Sequence, residues 1–162
     1  MTEQEFKQTL DAIERGPQAI AAAVAGVETS TLDYKPAPGK WSIREIVAHL
    51  ADVEILYGYR MRQMLADKDP VIAPIDQDDW ARNLNYRTAP VSDSLALHSA
   101  ARRVNVRLLR QISVADLGRG AFHPEKQRKV TLDELLGMMA GHDPNHLAQI
   151  EKLKEQAREA AR

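Results

Sequence analysis

The chain has 162 residues, 44% apolar and 28% charged, which is the composition of an ordinary globular protein and excludes disordered and fibrous chains. Its 22 basic and 23 acidic side chains nearly cancel, so no global field draws in nucleic acid or an anionic membrane. Cysteine is absent, which removes disulfides, thiolate metal sites and cysteine nucleophiles, and leaves any metal to nitrogen and oxygen ligands.

Length predicts one domain spanning 1–162. The opening stretch, Met1 to Leu10, is mixed and acidic where a secretory leader is basic and then apolar, and the longest apolar run, Ala19 to Val27, is well short of the ~20 residues of a membrane span. Both point to a cytoplasmic protein. Three helices are opened by capping boxes, in which a Ser or Thr caps the backbone and a Glu three residues on reaches back: Thr2 with Glu5, Ser42 with Glu45, and Thr131 with Glu134. The first helix carries Phe6, Leu10, Ile13, Ile20, Val24 and Val27 on one face, with a kink expected at Gly16-Pro17. Thr29 to Lys40, with two prolines and a glycine, reads as a loop.

The second helix runs from Ile43 to Ala66, with Ile46, Leu50, Val53 and Met61 inward, and Asp69-Pro70 stops it. Pro70 to Pro90 has weak periodicity, and a connection that long is expected to wall a pocket with Trp80 and Tyr86. The third helix, Asp93 to Ile112, shows Leu97, Ala101, Val104 and Leu108 as its inward stripe, with a solvated basic edge of Arg102, Arg103, Arg107 and Arg110. A loop with Gly118, Gly120 and Pro124 leads to the fourth helix, Leu132 to about Arg158. Short links make the first and second helices, and the third and fourth, antiparallel pairs, while the long link lets the second and third run parallel. The expected fold is all-α, a four-helix bundle with one long crossover connection between helices 2 and 3.

The fourth helix reads Leu135, Met139, His142, His146, Ile150, Leu153, so two histidines occupy positions in an apolar stripe. An imidazole there must find a partner or lose solvation worth about 1–3 kcal/mol. At i and i+4 the two stand close enough to hold one metal ion. His49, at the margin of the inward face of the second helix, can meet them from the facing side and complete a tripod with open coordination positions. On spacing alone, core histidines bonded to Glu45, Asp52, Asp143 or backbone carbonyls are the more ordinary reading, because a lone His-x-x-x-His occurs often by chance.

The stretch Pro38 to Glu54, with Trp41-Ser42-Ile43-Arg44 and Ala48-His49-Leu50, resembles the second-helix motif of the DinB-like superfamily of DNA-damage-inducible and bacillithiol-transferase-like proteins. Val130 to Leu136, followed by His142 to Ile150, resembles that family's fourth helix; Asp79-Trp80-Ala81, Tyr86 and His123-Pro124-Glu125 are also similar. The resemblance implies a four-helix bundle that binds a divalent metal, commonly nickel or zinc, through His49, His142 and His146. It also implies thiol transferase activity for some members.

Pro144 departs from a regular helix between the paired histidines, and the helix is expected to be disturbed there without ending. His98 falls on an edge of the third helix as a partly exposed or supporting residue, and His123 reads as a local residue bonded to backbone. Asp52 and Glu54 read as solvated charge, with an alternative role in orienting an imidazole N–H. Glycine-rich phosphate loops, G-x-S-x-G and His-Glu-x-x-His are all absent. The sequence therefore supports a metal-dependent enzyme acting on a small molecule, of thiol S-transferase or hydrolase type, with a thiol or electrophile as partner, or a non-catalytic metal-binding stress or sensor protein. No general base stands out. A homodimer is expected, with no nucleic-acid or membrane partner, and metal affinity is expected to fall as pH drops through about 6.5, the point at which free imidazole protonates.

Overall fold

All three capping boxes form, with the Glu5, Glu45 and Glu134 amides donating to the hydroxyls of Thr2, Ser42 and Thr131 at 3.2–3.3 Å. The computed structural model describes residues 1–162. These caps open α1 (Glu3–Val24), α3 (Ile43–Ala66) and α6 (Leu132–Ala160). Between α1 and α3 the expected loop holds one turn of helix, α2 (Thr29–Leu32). The long connection holds α4 (Gln77–Asn83), capped by Asp76, and a 3-10 turn at Tyr86–Thr88, before α5 (Val91–Leu109). No helix is long and apolar enough to cross a membrane.

Two apolar clusters give the directions of the helices. One joins Phe6, Leu10 and Ile13 of α1 to Tyr57, Met61 and Met64 of α3, Val106 and Leu109 of α5, and Leu132 to Met139 of α6. The other joins Ile20 and Val24 to Ile43 through Leu50, Ile150 and Leu153, with Leu95 packed against it. Hence α1 and α6 run one way, and α3 and α5 run the other. The directions match the sequence expectation, but the neighbours do not follow chain order. α1 packs against α5 and α6, and α3 packs against the same two, so the pairs joined by short links lie across the diagonals of the bundle.

Two details differ from the sequence reading. The loop before α6 is a β-hairpin, β1 (Gly120–His123) antiparallel to β2 (Arg128–Thr131), and the long connection docks on it through Ile72 N–H to Phe122 O at 3.0 Å. Four-residue strands are too short to show an alternation in sequence. The inward stripe of α5 is also different: Leu97 and Val104 are exposed, while Ser94, His98, Arg102, Asn105 and Leu109 are buried. As expected, neither internal proline ends its helix. At Pro17 the missing N–H leaves the Ile13 carbonyl without its helical donor, and the Arg102 guanidinium supplies one.

Between the two apolar clusters lies a polar waist. Arg102 is 2% exposed and forks onto Asp143 at 2.8 and 3.3 Å, while its other side meets Glu54 at 2.8 Å. Asn105 donates to the Glu54 carboxylate at 2.8 Å. The helices can close on this network because α1 and α3 present glycines to it: a Cβ on Gly16 would overlap the Asp143 carboxylate, and one on Gly58 would lie 2.6 Å from Asn105 Oδ1. Arg102 and Glu54 are thus core residues rather than solvated charge. Sequence pattern could not separate them from their exposed neighbours, because burial here is bought by pairing and not by apolarity.

Candidate metal centre

His49 projects from the second turn of α3, whose start is fixed by the Ser42–Glu45 box and by Lys35 on Glu45 at 2.7 Å. His142 and His146 project from α6, one turn apart, and α6 packs directly on α3. The three rings converge. His49 and His142 bring their Nε2 atoms to 3.2 Å, and one nitrogen from each of the three lies within 4.8 Å of the others. Ring centroids are 4.7–5.2 Å apart.

The helix α6 continues through Pro144, so the pair keeps its one-turn spacing. Asp143, between the two histidines in sequence, points away from them into the Arg102 fork. Burial pushes the His49 imidazole down to about 3, with His142 and His146 adding to the effect. Burial likewise brings His142 down to about 4, with His146 helping and Asp143 opposing. His146 is lowered by burial despite its bond to Gln149. All three are therefore neutral at physiological pH, which is the state that ligates.

Supporting residues include several that the sequence did not single out. Gln149 Oε1 accepts from His146 Nδ1 at 3.0 Å, which leaves Nε2 free for the centre. Trp41 packs its ring on His49, with centroids 4.8 Å apart, and Tyr57 meets His142 edge-on at 5.8 Å. Tyr57 follows His49 by two helical turns, and Gln149 follows His146 by one, so a helix-face reading extended from each histidine would have found both.

His49 is 2% exposed, whereas His146 opens into a cleft of about 250 Å³ lined by Gly39, Lys40, Trp41, Gln77, Asp78 and Gln149. The long connection thus walls the cleft with Gln77 and Asp78. Trp80 and Tyr86 do not line it; with Trp41 they pack around Ala48 and Ala81, and the Tyr86 hydroxyl donates to Asp52 at 2.6 Å. Asp52 therefore anchors the connection and orients no imidazole. His98 is 1% exposed and lies beside Arg102 and Asp143 rather than at an exposed edge. His123, on β1, is also buried, and its Nδ1 finds no partner, so the expected bond to backbone is not made there.

The fold recurs in a known protein, and the sequence has known relatives. YfiT of Bacillus subtilis, whose solved structure is described as "a probable metal-dependent hydrolase with an unusual four-helix bundle topology", superposes with a TM-score of 0.90 over 96% of this chain and 89% of that one, at 29% identity. In sequence this relative, named a "Putative metal-dependent hydrolase", is 31% identical over 144 residues, or 89% of this chain and 81% of its own. OB0782 of Oceanobacillus iheyensis bears the same description and is 31% identical over 91% of this chain and 85% of its own. The DinB superfamily profile matches residues 12–150, a span that runs from the middle of α1 through His49 to the paired histidines of α6, and the chain belongs to that superfamily.

Proposed function

We propose that the chain is a metal-dependent hydrolase of small molecules that holds one divalent ion on His49, His142 and His146. The observation that carries this reading is the convergence of three neutral imidazoles, one of which, His146, lines an open cleft. The donor set fits an ion. The His49 and His142 Nε2 atoms stand 3.2 Å apart, and His146 offers a third nitrogen within 4.8 Å of both, so the three would hold an ion between them. Three imidazoles without a thiolate suit zinc or nickel, and three ligands leave coordination positions open. An ion so held supplies Lewis acidity to a substrate oxygen or to water.

The chain's own residues set the surroundings. Gln149 fixes the His146 ring, Trp41 packs on His49, and the Lys40–Trp41 segment with Gln77 and Asp78 frames the cleft. The open cleft favours turnover over a sealed, purely metal-storing site. The names of the relatives favour hydrolysis over thiol transfer.

The test is metal analysis of protein purified without a polyhistidine tag, followed by a screen of ester, amide and phosphoester hydrolysis alongside thiol-plus-electrophile pairs. Near-stoichiometric zinc or nickel that is lost in His142→Ala, together with metal-dependent hydrolysis, is the expected result. Failure to bind either ion overturns the site. Binding with thiol transfer alone overturns the hydrolase assignment.

A further inference from the structure

The cleft at His146 adjoins a second one of about 530 Å³, because Gly39, Lys40, Trp41 and Asp78 line both. His146 belongs to the first part and Arg87 to the second, so the depression reaches from the imidazoles to the turn that follows α4. Four cations line the second part, Lys35, Lys40, Arg82 and Arg87, against the carboxylates of Glu45 and Asp78. Pairing neutralises two of the four. Lys35 meets Glu45 at 2.7 Å, where the carboxylate also accepts the Ser42 N–H at 2.8 Å, and Arg82 is held by Asp79. Lys40, Arg87 and Asp78 join no ion pair. Two free cations against one free carboxylate leave a surplus of one positive charge in a concave site, on a chain whose net charge is −1.

Both free cations stand on fixed backbone. Gly39, at φ +76°, makes a turn that a residue with a Cβ resists, and the Lys40 N–H closes it on the Ala37 carbonyl at 3.1 Å. Trp41 then sets its ring on His49. Arg87 follows Tyr86, which is buried and bonded through its hydroxyl to Asp52 of α3 at 2.6 Å.

We propose that Lys40 and Arg87 form an anion subsite, and that the molecule taken by the His146 cleft carries a singly charged carboxylate or phosphodiester group away from the bond that is cleaved. The guanidinium of Arg87 is a planar fork that matches two oxygens of either group, and Lys40 adds a point charge where the two parts of the cleft meet. Asp78 opposes a second negative charge, which disfavours a phosphomonoester dianion. The identity of the substrate rests on the hydrolase reading above, whereas the subsite stands without it.

Two measurements keep these apart. In the metal-free chain at constant ionic strength, the Trp41 indole N–H resonance, assigned with Trp80→Phe, reports titration with monomethyl glutarate and dimethyl phosphate, with dimethyl glutarate as the neutral control. The anions should bind with dissociation constants of a few millimolar, on the order of −3 to −4 kcal/mol, and the diester should not bind. Arg87→Gln and Lys40→Gln should each weaken the anions at least about threefold, and Asp78→Asn should tighten them, while Arg103→Gln on α5 changes nothing. The tighter of the two anions identifies the group as carboxylate or phosphodiester. In the zinc-loaded chain, mono(4-nitrophenyl) glutarate should be hydrolysed with a higher kcat/KM than 4-nitrophenyl pentanoate, and Arg87→Gln should reduce that preference through KM rather than kcat. Absence of any anion-specific shift up to about 20 mM overturns the subsite, as does binding that Arg87→Gln leaves unchanged, even where both esters are hydrolysed. Anion binding that needs Arg87 in a chain that hydrolyses neither ester upholds the subsite and counts against the hydrolase reading alone.

Discussion

The guanidinium of Arg102 donates to the carbonyl of Ile13, the backbone acceptor that Pro17 leaves without a partner. One side chain on α5 thereby repairs α1, neutralises Asp143 of α6 and holds Glu54 of α3. A lysine has neither the planar fork nor enough donors to serve all of these acceptors at once.

Arg102→Lys should therefore destabilise the fold by roughly 3 kcal/mol, and Arg102→Ala should cost more because two buried carboxylates then lack a counter-charge. Restoring an N–H with Pro17→Ala gives Ile13 its helical donor back. In that background the loss from Arg102→Lys should shrink by about 0.5–1.5 kcal/mol, the net value of one hydrogen bond. Denaturant unfolding of the four proteins in the cycle measures the coupling, and strict additivity would show that the Ile13 contact contributes nothing.

The imidazole cluster makes stability depend on pH. In the unfolded chain the histidines take up protons below about 6.5, whereas His142 resists to about 4 and His49 to about 3 because both are buried. Between those values the unfolded state binds more protons, so the metal-free protein should lose stability as pH falls from 6.5 towards 3, by up to about 1.4 kcal/mol per pH unit per histidine. Burial alone would raise Asp143, but bonds from His98 and Arg102 outweigh it and hold the carboxyl at about 2. Its contribution is present above the unfolded value and is lost below about 3.8.

His142→Gln should flatten the profile between pH 6.5 and 4. Metal affinity should fall less between pH 7 and 6 than free imidazole dictates, because burial keeps all three folded imidazoles neutral further into acid, with His142 and His49 held down to about 4 and about 3. This moves the acid limit below the 6.5 that free imidazole gives. A tenfold drop in affinity between pH 7 and 6, followed by calorimetric titration with zinc, would contradict it.

Trp41 and Trp80 should separate in their effects on the site. Both pack against the Ala48, Ala81 and Tyr86 patch, but only Trp41 stacks its ring on His49. Trp41→Ala should weaken zinc binding, whereas Trp80→Ala should leave it within about twofold while loosening the connection, as removal of contacts distant from a site does. Gln149→Leu removes the acceptor that orients His146 and should cost about 10–100-fold in affinity. Titration of the three variants against wild type is decisive, and equal losses for the two tryptophans would mean that Trp41 only fills space.

Most of the architecture was legible because helix caps and apolar spacing are local signals. Ser42, Thr131 and their partner glutamates marked α3 and α6 to the residue at their starts, and His142 and His146 stood out because they interrupt an apolar stripe. The polar waist was hidden for the converse reason. Arg102 sits beside exposed Arg103 in sequence, and only the meeting of α1, α3, α5 and α6 reveals which of the two is buried. The apolar stripe of Leu97 and Val104 misled for the same cause, since periodicity tells that a face seeks cover without telling what covers it. Trp41 precedes α3 and reaches His49 through the turn of the chain, which no helical spacing encodes.

The two prolines allow one further contrast. Pro144 leaves the Ala140 carbonyl without its helical donor, as Pro17 does at Ile13, but no side chain takes the place that Arg102 takes on α1. Ala140 is only partly buried, so water can reach it and the cost remains moderate. The burial of Ile150 and Leu153 is enough to carry the helix on past the break. Pro144→Ala restores one backbone bond and removes a ring clash, worth about 3 kcal/mol in a helix interior, against a loss of about 0.4–1 kcal/mol from a more flexible unfolded chain. The variant should melt several degrees higher, at roughly 2–4 °C per kcal/mol for a chain of this size. Pro17→Ala should gain less, because its carbonyl is already satisfied. Straightening α6 also changes how His142 and His146 face each other, so zinc affinity should shift in Pro144→Ala and not in Pro17→Ala. Equal melting temperatures for Pro144→Ala and wild type, with equal zinc affinity, would show that α6 carries its proline without strain.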